Sequence, residues 1–177
     1  SEAHLVRPAN FSAEAPGRGA CVIDVKGVKV AVIALMGRTY MKYLLNCPFR
    51  ALDTVLAGLG GVNVVLIDMH AEATSEKVAM GWYADGRVSA VFGTHTHIQT
   101  ADEKILPKGT AYITDVGMTG PYDSVIGQIK ERIIERYLTG LPNKFEVAAQ
   151  PATLCGVVVD VDEDTGRARR IERVQKD

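Results

Sequence analysis

Gly93-Thr94-His95-Thr96-His97 places two of the chain's four histidines one residue apart, directly after the apolar run Ala90-Val91-Phe92. An apolar run that gives way to a polar loop reads as a buried strand ending where parallel-sheet proteins put their chemistry. His70 repeats the pattern, because Val64-Val65-Leu66-Ile67-Asp68-Met69-His70 is a second apolar run closed by an imidazole. Neutral imidazole is the commonest protein ligand for transition metals, and a strand end holds the ring still. A lone histidine at a strand end more often makes structural hydrogen bonds than binds metal. Three at one sheet edge have no such reason to gather, so His70, His95 and His97 are the candidate metal ligands.

The elements that must carry them can be read on either side. Residues 1–19 hold two prolines and two glycines without periodicity and read as an extended opening segment, with His4 exposed to solvent. Val22 to Val25 and Val28 to Leu35, joined at Lys26-Gly27, predict a β-hairpin. Phe49, Leu52, Val55, Leu56 and Leu59 recur at helical spacing up to the stop at Gly60-Gly61. Thr74 or Ser75 is expected to cap a second helix that runs to about Ala84. Thr110 to Thr114 predicts a short strand before a Gly-rich loop at Asp115 to Gly120. Ile126, Ile129, Ile133, Ile134 and Tyr137 predict a helix closed near Gly140. Leu154 to Val161 and Ala168 to Val174 predict a closing hairpin. Strand–helix alternation flanked by hairpins means an α/β fold, and residues 1–177 read as one domain.

Composition narrows the function classes. Apolar residues are 47% and charged residues 23% of 177, as in globular proteins with a substantial core. A net charge of −1 gives no electrostatic case for DNA or an anionic membrane. Arg167-Ala168-Arg169-Arg170 is short and reads as a solvated strand face. No apolar run approaches the ~20 residues that span a bilayer, and no signal peptide is visible. Cys21, Cys47 and Cys155 are odd in number and far apart with no Cys-x-x-Cys pair, which argues against a disulfide framework or a thiolate zinc site and fits a reducing cytoplasm. Cys47 reads as an inert loop residue, since nothing basic flanks it closely.

Longer strings carry a family resemblance. His70-Ala-Glu-Ala-Thr-Ser-Glu-Lys77, Gly93-Thr-His-Thr-His-Ile-Gln-Thr-Ala-Asp102 and Thr114-Asp-Val-Gly-Met-Thr-Gly-Pro-Tyr-Asp-Ser124 resemble the YmdB-like bacterial branch of the calcineurin-like metallophosphoesterases. Leu5-Val-Arg-Pro-Ala-Asn10 and Pro48-Phe-Arg50 extend the resemblance over nearly the whole chain. It implies a layered α/β/β/α metallophosphoesterase sandwich and hydrolysis of 2′,3′-cyclic nucleotides or related phosphodiesters at a two-metal centre. By position, His70 and His95 would bind one metal and His97 the other. Fe or Mn suits the mixed imidazole, carboxylate and amide donors of that family. The family also uses an Asp on its first strand, an Asn-Gly-Glu-Asn-like motif and a Gly-Asn-His carrying a catalytic histidine. None of these strings occurs here, so the chain is expected to be the C-terminal two-thirds of such a fold, without its N-terminal strands.

Acidic neighbours do not obviously replace the missing ligands. Asp68, Glu72, Asp102 and Asp115 suit acceptance of an imidazole N–H better than ligation. Asp115, at its strand end, is the preferred orienting residue, with a loop-capping role as the equal alternative. Thr94 and Thr96 are expected to fix the histidine loop by backbone hydrogen bonds. Glu72, Arg38 and Tyr40 are candidate liners of a nucleotide pocket, and Thr119-Gly120 is either a close approach to phosphate or a plain turn.

The implied function is thus a metal-dependent phosphodiesterase whose centre this chain only partly supplies. The alternative is a catalytically incomplete phosphoesterase-like domain that serves binding or assembly. Either would expose sheet edge and core, so a homo-oligomer or a complementary N-terminal segment is the expected partner, beside the small phosphodiester substrate. An amidohydrolase-type metal pair at His95-x-His97 would need a barrel of about 250 residues with the pair on an early strand, and length and position argue against it.

Overall fold

The structure, a computed structural model, describes all residues except 1, 3 and 150. Lys26 and Gly27 both take positive φ, which closes β1 (Ala20–Val25) onto β2 (Val28–Met36) as the antiparallel hairpin read from the sequence. Between β2 and β3 (Val64–His70) the chain returns through α1 (Pro48–Gly58), which starts on its proline. α2 (Thr74–Ala84) makes the next return, to β4 (Ala90–Thr94). Two short strands, β5 (Lys104–Ile105) and β6 (Ala111–Ile113), finish a sheet ordered β1-β2-β3-β4-β6-β5. β2, β3, β4 and β6 are parallel, so their carboxyl ends share one edge. Register sets Met36 beside His70 and His70 beside Thr94 on that edge.

Strand alternation divides the side chains between two cores. Ile33, Leu35, Ile67, Met69 and Val91 point to the face covered by α1 and α2 and join Leu52 and Met80 there. Leu66 and Ala90 point to the other face, against a second sheet of β7 (Gly120–Pro121), β8 (Ala152–Val161) and β9 (Ala168–Lys176). The mixed α/β fold with a parallel sheet is as expected.

Three local expectations are corrected. Neither Thr74 nor Ser75 caps α2; the N-cap is Ala73, buried and without a side-chain cap, because packing of Ala71 and Ala73 sets where the helix begins. The third helix, α3 (Lys130–Thr139), starts after Ile126 and Ile129. Ile126 has φ 46°, and Val125 bridges Gln128 in a turn that no helix can continue. α3 ends, as read, on Gly140 in the left-handed region. It lies against Val125, Ile126 and Phe145 and belongs to neither core, so the described layers read α/β/β.

Candidate metal centre

Parallel register brings His70 and Thr94 side by side, and the chain leaving β4 folds back so that His95 meets His70 edge to face. His70 Nε2 and His95 Nδ1 stand 3.1 Å apart. Each ring's other nitrogen is held from outside. Thr94 Oγ1 donates to Asp68 Oδ1 at 2.8 Å and lies 3.0 Å from His70 Nδ1. A hydroxyl has one proton, so with that proton on Asp68 the imidazole Nδ1–H donates to Thr94, and His70 Nε2 keeps its lone pair. Glu72 Oε2 lies 2.7 Å from His95 Nε2 and accepts its proton, which leaves the lone pair on His95 Nδ1. Two lone pairs facing at 3.1 Å need a proton or a cation between them. Nitrogen ligands about 2.1 Å from one divalent ion stand about 3 Å from each other, so this pair fits a metal.

Electrostatics favour the neutral ring. Burial, and then the charge of His95, lower the pKa of His70, which keeps it in the form that binds cations. Burial raises the Asp68 carboxyl against the pull of the Thr94 hydroxyl.

His97 is set apart from this pair. It is exposed, and its Nδ1–H donates to the Ile126 carbonyl at 3.1 Å, which leaves Nε2 open. Among the described residues no three His, Cys, Asp or Glu side chains converge on one point. The three imidazoles picked from the sequence therefore divide two and one.

The histidine loop is strained and must be held. His95 has φ 117° and His97 φ 67°, a region that non-glycine residues rarely occupy. The residue between them is tied down, because Thr96 N donates to Asp115 Oδ2 at 2.9 Å. The same oxygen accepts from Lys77 Nζ at 2.8 Å, in an ion pair exposed by no more than 1% on either side. Gly117 N donates to Asp115 Oδ1. Burial would raise the Asp115 carboxyl, but the Lys77 ammonium and the two amides outweigh it and hold its pKa below the ordinary value. Gly93 lets the loop leave β4 this close to β6, since a Cβ there would sit 1.7 Å from the Thr114 carbonyl oxygen.

Several sequence expectations change here. Of the two roles open to Asp115, the loop-capping one is found and the ring-orienting one is not: it holds the loop's backbone, because it follows β6, while His70 lies on β3 beyond β4. Orientation falls to Asp68, acting through Thr94, whose hydroxyl meets side chains and not backbone. Thr96 does bond backbone, at Ile98. Glu72 sits on His95. Asp102 ties Thr100 to Thr114 and touches no histidine. Arg38 and Thr39 give their backbone amides to Glu76, while Tyr40 is 85% exposed. Lys77 was missed, although its signal was present: it shares the buried stripe of α2 with Met80, Gly81 and Ala84, where a cation needs a reason.

Comparison with known proteins places this geometry among relatives. A family model described as "YmdB-like protein" matches residues 1–174. The chain is 55% identical over 172 residues to a 2′,3′-cyclic-nucleotide 2′-phosphodiesterase of Bacillus subtilis, covering 97% of this chain and 65% of that protein. Among solved structures, a hypothetical protein from Thermus thermophilus superposes with TM-score 0.89 at 44% identity, covering 96% of this chain and 66% of the other. A structure described as a novel phosphatase from Mycoplasma pneumoniae gives TM-score 0.90 at 37% identity, covering 98% and 64%. The chain thus spans slightly less than two thirds of the curated relative's length.

Proposed function

This chain belongs to the YmdB-like family, and on that footing we propose that it carries the histidine-bearing part of a two-metal phosphodiesterase acting on 2′,3′-cyclic nucleotides or related phosphodiesters. The observation that carries the reading is the pair His70 Nε2 and His95 Nδ1, 3.1 Å apart with both outer nitrogens engaged by oxygen. The 55% identity to a phosphodiesterase of that substrate class supports the chemistry.

In this reading His70 and His95 hold one ion, and His97 offers its open Nε2 to a second. Divalent Fe or Mn suits these donors and would supply Lewis acidity toward a phosphoryl oxygen and a more acidic water. The chain's own part is orientation and proton placement. Asp68 and Thr94 keep the His70 proton on Nδ1, and Glu72 keeps that of His95 on Nε2. Asp115 and Lys77 hold the loop that presents both rings of the Gly-x-His-x-His segment. Two imidazoles leave most of an ion's coordination open, and we assign the remaining ligands to residues that relatives carry in the third of their length this chain does not span. Three free cysteines and the lack of any helix long and apolar enough to cross a membrane, among the described residues, accord with a cytoplasmic setting.

Metal content per chain, measured by mass spectrometry after purification without chelator, tests the reading. Bound Fe or Mn that is lost in His70→Ala and His95→Ala, together with hydrolysis of 2′,3′-cyclic AMP by the longer relative and its loss in the same variants, is the expected result. Metal uptake indifferent to both substitutions would overturn it.

A further inference from the structure

α3 and the loops beside it enclose a cavity of about 300 Å³, lined by Ile126, Gln128, Ile133, Arg136, Tyr137 and Phe145. That volume lies at the small end of the range for small-molecule sites. One lining residue is unsatisfied: Gln128 Oε1 is shut off from solvent and meets no hydrogen-bond donor among the described residues. The turn does not need this side chain, because the Gln128 amide and carbonyl close it on Val125 by themselves, at 3.0 and 2.9 Å. A buried amide oxygen without a donor costs stability, so it marks a place where a donor arrives with a ligand. The rim of the cavity is aromatic. Tyr137 is 82% exposed and Phe145 53%, and the Arg136 guanidinium lies 4.9 Å from the Phe145 ring centroid. Aromatic rings and guanidinium planes are the surfaces on which unpaired bases stack. The cavity also adjoins the third imidazole, since the Ile126 carbonyl accepts the His97 Nδ1–H at 3.1 Å.

We propose that this cavity holds the nucleobase of the substrate, with Gln128 as the residue that reads the base edge. A base requires a flat apolar surface for its face and paired polar groups for its edge, and the cavity supplies both. Its face lies on the Tyr137 and Phe145 rings. Its edge meets the Gln128 amide, whose oxygen accepts and whose NH₂ donates. Adenine carries the matching order, an exocyclic amine beside a ring nitrogen, so Oε1 gains the donor it lacks while Nε2 donates to the ring. In a 2′,3′-cyclic nucleotide the base and the phosphodiester sit on neighbouring carbons of one ribose. A phosphodiester beside His97 therefore leaves its base one sugar away, and the cavity begins at the residue that His97 touches. The assignment rests on the phosphodiesterase reading and deepens it: the histidines serve the phosphodiester, and the cavity beside α3 distinguishes a nucleotide from a phosphodiester that has no base.

Adenosine, which carries the base and no phosphate, is the probe. Titrated into the intact chain and followed by heteronuclear NMR, it is expected to shift the Gln128 side-chain amide and the ring resonances of Tyr137 and Phe145. Gln128→Met should weaken this binding about tenfold. The Tm should hold or rise in that variant, because a buried oxygen without a partner has been removed. A purely structural glutamine would do the opposite, lowering the Tm and leaving adenosine binding alone. Tyr137→Ala, at the exposed rim, should also weaken binding about tenfold and is the companion variant should the first fail to fold. No shifts with adenosine, or equal affinity in Gln128→Met, would overturn the assignment. Shifts at Ile134 and Leu138 that follow protein concentration without adenosine would overturn it too, since they mark a second copy as the occupant. Adenosine bound by a chain that takes up no metal would keep the base site and sink the phosphodiesterase reading. Metal held by His70 and His95 without any adenosine response would do the reverse.

Discussion

Lys77 Nζ and the Thr96 backbone amide converge on one oxygen, Asp115 Oδ2, at 2.8 and 2.9 Å. Helix α2 is thereby joined through a buried charge pair to the residue between the two loop histidines. The ammonium neutralises the carboxylate, and the carboxylate fixes the strained loop. Stability and site geometry therefore depend on the same atoms.

Lys77→Met removes one partner of a buried pair and leaves Asp115 charged and unmatched. A loss of about 3–5 kcal/mol is expected, measured by urea unfolding. The double variant Lys77→Met, Asp115→Asn should lose less than the sum of the single changes. Additive losses would show that the two groups are not coupled.

The same pair sets an acid limit. Asp115 is held below its unfolded value, so its stabilising contribution is complete above about pH 4 and is lost as pH falls through the lowered folded value. Unfolding measured against pH should show a decline on the acid side that Asp115→Asn makes shallower, the rest coming from carboxyls such as Asp102 and Asp162 that are also held low. An identical acid profile in the variant would remove Asp115 as its source.

Asp68→Ala leaves the Thr94 hydroxyl proton free and no longer commits the His70 proton to Nδ1. Mn²⁺ affinity, measured calorimetrically, should fall roughly 10–100-fold while the Tm changes little. An unchanged affinity would mean that Thr94 orients the ring without help.

Gly93→Ala forces β4 away from β6, because the new Cβ would overlap the Thr114 carbonyl oxygen. The expected cost is at least about 2 kcal/mol, with metal binding lost in step. A variant with wild-type Tm would show that the loop can leave β4 by another path.

Local patterns in the chain were sufficient for much of this. The Lys26-Gly27 hairpin, the helix over Phe49 to Leu59, and the strands through His70 and Phe92 follow from alternation, helical spacing and turn residues, all of which act over a few positions. The three candidate histidines and the family resemblance were legible for the same reason. What depended on tertiary structure were relationships across strands. Parallel register set Thr94 beside His70 and so made Asp68 and Thr94 a relay; strand order put Asp115 on the loop backbone and away from the rings. Burial turned Lys77 from an ordinary helix residue into the partner of Asp115, and a turn at Ile126 both delayed α3 and drew His97 away from the other two imidazoles. Spacing along a chain says which residues can share a face, and only the packed sheets decide which residues from different strands meet there.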